Sequence, residues 1–333
     1  MKKNIKFFVR IFFTLILIIF ALYKAGLLSE TGRDKFINLV VNIKWGYVVL
    51  SFLLMFVLNL VSSVKWNALL KSKKIQVQIW RIYAYYNIGK FFSLILPTSM
   101  GGDIVRIYKL GKFSGKKHTA TASVIIERFT GLLVLLLMTI IAVILNIRIF
   151  NELWLTIALI IASFVLTFLI WIITDVRIYN FFNRIFTSKI KVFEKLFIKL
   201  SKIRNTIIDF KADKKAMIWA FIYSIIFQIL AILNVWISAK AFSNELDLIT
   251  CIVAVPVIMF ITNIPFSIGG IGLMEFGYVY TLSLFGISPS LAISTALLIR
   301  AKGIIDALFG GLLYAFFDKD KYLVKDITNV EQK

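Results

Sequence analysis

Two short motifs that interrupt apolar runs decide the fold: Pro97-Thr98-Ser99-Met100-Gly101-Gly102 and Pro265-Phe266-Ser267-Ile268-Gly269-Gly270. Both read P-x-S-x-G-G, the first after the apolar run 82–96 and the second after the run 248–264. Proline removes a backbone donor and glycine permits sharp turns, so each motif is expected to end a helix and reverse the chain. The pattern predicts two re-entrant helical hairpins, with breakers at Pro97, Gly101, Gly102, Pro265, Gly269 and Gly270.

The composition around these motifs is that of a membrane protein. Of the 333 residues, 60% are apolar, and the mean hydropathy is +0.88, which a water-soluble domain could not hold without large exposed apolar patches. The runs at 7–28, 47–64, 123–147, 153–173, 217–239 and 290–317 approach or exceed the length that a bilayer core requires. We predict an all-α polytopic membrane protein, one membrane domain over residues 1–333, with about six transmembrane helices plus the two hairpins.

The basic residues give an orientation. The net charge is +22, from 39 Lys and Arg against 17 Asp and Glu. These bases alternate with apolar runs instead of forming one patch, which argues against nucleic-acid binding and follows the positive-inside rule. The cytoplasmic segments are then 2–10, 65–81, 106–117, 177–215 and the tail after residue 318. We predict a multi-pass protein of the cell membrane with both termini in the cytoplasm.

Two basic segments admit more than one interpretation. The run 7–28 follows three lysines as a signal peptide would, but no A-x-A cleavage site follows it, so we interpret it as a retained anchor helix. The segment 177–215 spaces its apolar residues at roughly helical intervals, which suits helices lying on the anionic inner leaflet. A solvated cytoplasmic connector explains the same segment.

The two motifs belong to a longer internal correspondence. They lie 168 residues apart, and residues 120–128 (ATASVIIER) align with residues 292–300 (AISTALLIR) at a similar offset. Counting crossings, the first hairpin enters from the cytoplasm and the second from outside. We therefore predict an inverted repeat with halves at 47–147 and 217–317, as in many transporters, although two short matches also arise by chance.

Charged side chains at membrane depth are costly, so those in or beside the hairpins are the candidate functional residues. They are Asp103, Arg106, Glu127, Arg128, Glu275, Arg300, Lys302 and Asp306. Asp103 and Arg106 are three residues apart, close enough to pair on one helix face, in a functional or a purely structural role. Hydroxyl groups add hydrogen-bonding capacity beside the breaks, at Thr98, Ser99 and Ser267.

The arginines suit a phosphate ligand. Arg128 and Arg300 occupy matching positions in the two halves, and a guanidinium can bind a phosphate through two parallel hydrogen bonds. The alternative is that both side chains reach to the membrane interface. Glu127 and Glu275 are suited to contact a cationic headgroup or to accept a coupling proton, or else they form inert ion pairs.

The usual signatures of enzymes are missing from the sequence. It contains no G-x-x-x-x-G-K-[ST] nucleotide loop, no G-x-S-x-G elbow and no H-E-x-x-H helix. One cysteine, Cys251, and one histidine, His118, exclude a disulfide framework and leave little for zinc. We expect no catalytic residues, no metal and no cofactor.

Three segments in order resemble a known family. Leu96 to Arg106 (LPTSMGGDIVR), Ile126 to Leu132 (IERFTGL) and Pro265 to Glu275 (PFSIGGIGLME) look like the hallmark segments of the lysylphosphatidylglycerol synthase transmembrane (flippase-like) family. The resemblance covers nearly the whole chain. That family includes the membrane half of the multiple peptide resistance factor, which moves lysyl-phosphatidylglycerol to the outer leaflet and contributes to antibiotic resistance.

The resemblance implies lipid translocation through a polar cavity between the hairpins. Arg106, Arg128 and Arg300 would hold the lipid phosphate, while a headgroup amine or a proton would contact the carboxylates Asp103, Glu127 and Glu275. In the two-part relative a separate soluble domain transfers the lysyl group, so we expect no lipid synthesis by this chain alone. A membrane-embedded phosphatidylglycerol lysyltransferase, or an accessory subunit of a separate synthase, stays open as an alternative.

Overall fold

A computed structural model of the chain describes residue 16 and residues 19–24, 29–96, 101–145, 152–174, 204–210, 212–264 and 270–317. All regular secondary structure in these ranges is helical. The main helices are α1 (Glu30–Val41), α2 (Trp45–Ser72), α3 (Ile79–Ile95), α4 (Gly101–Ser114), α5 (Lys117–Leu145), α6 (Leu153–Thr174), α7 (Lys214–Lys240), α8 (Leu248–Thr262), α9 (Leu273–Leu284) and α10 (Pro289–Phe317).

The helices are those of an integral membrane protein. Helices α2, α5 and α7, of 28, 29 and 27 residues, are long and apolar enough to cross a bilayer. Large apolar side chains stay exposed on their outward faces, for example Val49, Leu53 and Ile141, as a lipid solvent allows. The predicted all-helical membrane fold is confirmed, whereas the number of about six crossings stays a prediction.

One sequence boundary differs in the structure. The apolar run 47–64 ends in sequence just before Lys65, the first residue of the predicted cytoplasmic segment 65–81. Helix α2 instead continues to Ser72, and Lys65 is 5% exposed, because its ammonium finds a partner inside the protein. Most of the predicted anchor 7–28 and of the basic segment 177–215 lies outside the described residues.

Each predicted break lies between two packed helices. Helix α3 packs on α4, and α8 packs on α9, although residues 97–100 and 265–269 of the motifs themselves are outside the described ranges. In the first pair the backbones approach closely, since a Cβ on Gly102 would lie 2.1 Å from the carbonyl oxygen of Gly89. In the second pair Gly270 and Gly272 have φ of +73° and +80°, conformations that only glycine adopts readily.

The contacts between helices follow one scheme twice. Helix α2 packs along α7, while α3 packs on α10 and α5 packs on α8. Likewise, α4 contacts α5 as α9 contacts α10. Exchanging α2–α5 with α7–α10 therefore reproduces most of the helix–helix contacts. The scheme brings the inward faces of α2, α3, α5, α7, α8 and α10 together, and the polar residues described next lie on those faces.

Candidate functional site

A buried ion pair joins α4 to α5. The Nη2 of Arg106 donates to the Glu127 carboxylate at 2.6 Å, and the two residues are 2% and 5% exposed. The guanidinium lies between two aromatic rings, with its central carbon 4.8 Å from the Trp66 ring centre and 4.7 Å from that of Tyr86. Such packing favours a cation in a desolvated place.

A second, more exposed ion pair lies beside the first. Arg128 donates from Nε and Nη2 to both oxygens of Asp103, at 3.0 and 3.1 Å. Asp103 also lies 3.4 Å from Nη2 of Arg106, the pairing that the three-residue spacing predicted. The Arg128 side chain is 54% exposed. Because a guanidinium carries five N–H groups, donors of Arg128 remain for a ligand.

Lys65 completes the cluster from α2. Its Nζ donates to the backbone carbonyl of Glu127 at 2.6 Å. Gly131, one helical turn farther along α5, lies beside the ammonium, since a Cβ there would be in van der Waals contact with Nζ at 3.4 Å. Within this cluster three cations, Lys65, Arg106 and Arg128, face the two carboxylates of Asp103 and Glu127, so one positive charge is left over.

The cluster opens into a cavity of 290 Å³, here called cavity 1. Helices α2, α3, α5, α7 and α8 line it with Ser62, Lys65, Tyr86, Glu127, Arg128, Gly131, Leu132, Leu135, Ser224, Phe227, Gln228, Met259 and Asn263. The Gln228 side chain is almost fully buried, and its Oε1 has no hydrogen-bond partner among the described residues. Cavity 1 thus combines a surplus positive charge with an unused hydrogen-bonding group.

The second half of the chain carries a matching ion pair. Arg300 donates to both oxygens of Glu275, and its Nη2 also donates to the Gly270 carbonyl at 3.0 Å. Glu275 in turn accepts from the Gly272 backbone N–H at 2.8 Å, which caps the start of α9. The separation of 25 residues between carboxylate and arginine is the same as for Asp103 and Arg128.

A further polar cluster links the two halves. Asp306 on α10 accepts from Lys90 at 2.6 Å and from Asn59 at 2.8 Å, and Asn59 also contacts Asn87 at 3.3 Å. One helical turn before Asp306, the buried Lys302 points to α7. Lys90, Lys302 and Asp306 border a second cavity of 270 Å³, here called cavity 2, which shares Met259 with cavity 1.

The structure groups some of the predicted site residues and separates others. It brings together Asp103, Arg106, Glu127 and Arg128 around cavity 1. Glu275 and Arg300 form their own pair and are not among the residues that line cavity 1, so the predicted clamp of three arginines on one phosphate is not assembled there. Thr98, Ser99 and Ser267 lie outside the described residues, and their role stays a prediction. The described residues contain no group of three His, Cys, Asp or Glu side chains suited to a metal ion.

Several polar residues of the two clusters were not predicted from the sequence. Lys90 lies inside the apolar run 82–96, where an isolated lysine is itself a signal of a buried partner. Asn59, Ser62 and Lys65 follow one another at three-residue intervals along α2, which places them close together on one side of the helix. Gln228 and Asn234 are isolated amides in an apolar helix, and they gave no distinctive pattern.

Comparison with known proteins identifies the family. The model of the lysylphosphatidylglycerol synthase TM region matches residues 7–310, which is nearly the whole chain. The chain belongs to the lysylphosphatidylglycerol synthase transmembrane family. The resemblance based on the three hallmark segments is thereby confirmed, and the cluster around Arg106 and Glu127 is built from two of those segments.

Curated relatives of this family member come from archaea. A UPF0104 membrane protein of Methanocaldococcus jannaschii is 25% identical over 318 residues, covering 86% of this chain and 89% of the relative. A UPF0104 membrane protein of Pyrococcus horikoshii is 24% identical over 310 residues, covering 86% and 92%. No solved structure matches the chain.

Proposed function

We propose that this member of the lysylphosphatidylglycerol synthase transmembrane family is a lipid translocator. It would move a phospholipid, such as lysyl-phosphatidylglycerol or another lipid phosphate, between the leaflets of the cell membrane. The headgroup would pass through the polar interior while the acyl chains stay in the bilayer. Both termini would lie in the cytoplasm, and a separately encoded lipid synthase is a possible partner.

The surplus positive charge of cavity 1 carries this proposal. A buried charge without compensation is costly in a low-dielectric interior, and a phosphate in cavity 1 would compensate it. Arg128 and Lys65 both lie in the cavity wall, and Arg128 has donors left over. Arg106 lies behind the wall and adds to the positive electrostatic potential of the cavity. Gln228 offers a buried amide to a headgroup hydroxyl or amine. These features favour a ligand that has one anionic group and hydrogen-bonding neighbours.

The walls around the cluster suit the rest of a lipid. An apolar groove between α5 and α7 is lined by Phe129, Leu133, Met217, Ile218, Phe221 and Ile222 together with Thr130. It begins one residue after Arg128, so acyl chains in the groove would lie near a headgroup held in cavity 1. We propose that α5 and α7 flank the lateral entrance.

The repeated contact scheme supports alternating access. If α2–α5 and α7–α10 form an inverted repeat, the pairs Asp103–Arg128 and Glu275–Arg300 occupy equivalent places in the two halves. Opening one pair and closing the other would then expose the interior to one leaflet at a time. We propose this inverted repeat as the basis of the translocation cycle.

The proposal is tested by lipid movement in proteoliposomes. Purified protein is reconstituted with fluorescent phosphatidylglycerol, lysyl-phosphatidylglycerol or a polyprenyl phosphate, and the labelled lipid in each leaflet is measured over time. We expect headgroup-selective movement by the wild type and a loss of at least about tenfold in Arg128→Ala, equivalent to about 1.4 kcal/mol of transition-state stabilisation. Arg128→Lys should recover little, because an ammonium does not bind phosphate bidentately.

Arg33→Ala is the matched control, since Arg33 is an exposed arginine on α1. It should move lipid at the wild-type rate. Wild-type movement in folded Arg128→Ala protein would remove cavity 1 from the mechanism. No movement of any lipid by folded wild-type protein would reject the translocator and favour an accessory subunit of a separate synthase.

A further inference from the structure

Lys302 is a buried lysine that the proposed lipid site does not use. Its side chain lies in the wall of cavity 2 and is 2% exposed. The ammonium donates to the Asn234 side-chain oxygen and, at 2.7 Å, to the Ser238 hydroxyl. Both partners are neutral and both lie on α7. Lys302 therefore sits in the protein interior on acceptors that carry no charge.

The other charged groups around Lys302, Lys90 and Asp306, form an ion pair with each other. Asp306 is the one carboxylate among the residues that line cavity 2, and it is bound by Lys90 from α3 and Asn59 from α2. Helix α9 adds the titratable Tyr278. The lining residues from α2, α7 and α8 are neutral. Lys90, Asp306 and a charged Lys302 would give cavity 2 one uncompensated positive charge.

A lysine in this position can lose its proton and become neutral, whereas an arginine stays charged. An ammonium buried without a counter-charge costs free energy, and loss of its proton removes that cost. The neutral amine still donates to Asn234. Its lone pair can accept from the Ser238 hydroxyl when that hydroxyl rotates away from the Asn234 backbone carbonyl, to which it donates at 2.5 Å. The site thus offers hydrogen bonds to both protonation states, as a proton-binding position requires.

We propose that Lys302 is the proton-binding residue that couples lipid movement to the proton gradient. This rests on the proposed translocator function and names its energy source. In one state Lys302 is an ammonium on Asn234 and Ser238. In the other state its N–H bond breaks, the proton forms an O–H bond with a water molecule that enters cavity 2, and the electron pair stays on the nitrogen of a neutral amine. No other bond is made or broken.

The connection to the lipid site runs through two helices. Helix α7 carries Gln228 in cavity 1 and Asn234 in cavity 2, six residues or about 9 Å of helix rise apart. On α8, Met259 lines both cavities. A change in how α7 is held by Lys302 therefore reaches the wall of cavity 1 directly. This is the structural basis for linking protonation to headgroup binding.

The test measures leaflet accumulation of labelled phosphatidylglycerol under an imposed pH gradient, with the membrane potential clamped at zero. If one proton moves with each lipid, the wild type should accumulate lipid in one leaflet by up to about tenfold per pH unit. Lys302→Met should equilibrate lipid without accumulation. Lys302→Arg should do the same, since arginine keeps its charge at every pH. Lys71→Met removes an exposed lysine of α2 and should accumulate lipid like the wild type.

The arginine variant separates coupling from a structural role. Accumulation retained in Lys302→Arg would mean that only the charge matters and would overturn the proposal. The proposal would also be overturned if the wild-type protein moved lipid but never accumulated it in one leaflet. Lys302→Gln replaces the methionine variant if that protein fails to fold. Failure of the proposed translocator function gives a different result, in which the wild-type protein moves no lipid with or without the pH gradient.

Discussion

Arg106 and Glu127 form the most deeply buried ion pair beside cavity 1, and the effect of substituting them on the free energy of unfolding can be predicted. Removing Glu127 leaves the buried Arg106 guanidinium with only the more distant Asp103 carboxylate, 3.4 Å away, whereas removing both partners relieves two desolvation costs. We expect Glu127→Leu to lower the free energy of unfolding by about 3–5 kcal/mol. The double variant Arg106→Met with Glu127→Leu should be less destabilised than the sum of the two single variants.

This is measured as a double-mutant cycle from unfolding in mild detergent, with Arg33→Ala as a surface control expected within about 0.5 kcal/mol of the wild type. Additive effects of the two single variants would show that Arg106 and Glu127 are not coupled. The stacking of Arg106 on Trp66 and Tyr86 would then account for its burial.

At the scale of helices, α3 and α4 approach each other closely at Gly102. A Cβ on Gly102 would lie 2.1 Å from the Gly89 carbonyl and 2.3 Å from the Ser93 hydroxyl, so Gly102→Ala forces the hairpin apart. We expect a loss of about 1–3 kcal/mol in unfolding free energy, the range of overpacking, together with slower lipid movement because Asp103 and Arg106 shift with α4.

Gly46→Ala provides the control for the same change elsewhere. Gly46 lies in the first turn of α2, and a Cβ there meets no atom within 4 Å. Alanine favours helix over glycine, so this variant should be as stable as the wild type or slightly more so. Equal stability of Gly102→Ala and Gly46→Ala would contradict the tight packing of the first hairpin.

The helix pairs were predictable from sequence, but their ends were not. Proline and glycine act on the local backbone, so the breaks near residues 97–102 and 265–270 followed from residue type alone. The end of α2 did not, because Lys65 looks like the first residue of a cytoplasmic loop. Its burial depends on the Glu127 carbonyl, 62 residues later, and a tertiary partner overrides the local signal.

At the scale of the whole molecule, the charge distribution predicts which side each connection faces. With Cys251 replaced by serine, single cysteines are placed at Lys116, between α4 and α5, and at Asn244, between α7 and α8. Both positions are exposed. We expect an impermeant thiol reagent to label position 244 in intact cells, and position 116 only after lysis, because the basic connection stays inside.

Labelling of position 116 from outside would reverse the orientation. Labelling of both positions from the same side would remove the inverted repeat, since α4–α5 and α7–α8 would then turn on one face of the membrane. Only labelling on opposite sides agrees with halves of opposite topology.

Only part of the candidate site could be predicted from the sequence, because the fold of the whole molecule brings distant residues together. Asp103, Arg106, Glu127 and Arg128 belong to neighbouring elements, so their grouping followed from the first hairpin and the helix after it. The clusters of cavity 2 join residues far apart in the chain. Without a fold, nothing in the sequence relates an isolated lysine in one half to an aspartate in the other.

The distance between Lys90 and Asp306 also affects how the protein is made. The carboxylate is translated 216 residues after its lysine and 247 residues after Asn59. At ribosomal rates of about 5–20 residues per second, that delay is roughly 10–50 s. During this time the nascent N-terminal half enters the membrane with an ammonium and an amide that lack their final partner. Biogenesis must shelter α2 and α3 until α10 arrives, and chains that stop before α10 should be recognised by quality-control proteases.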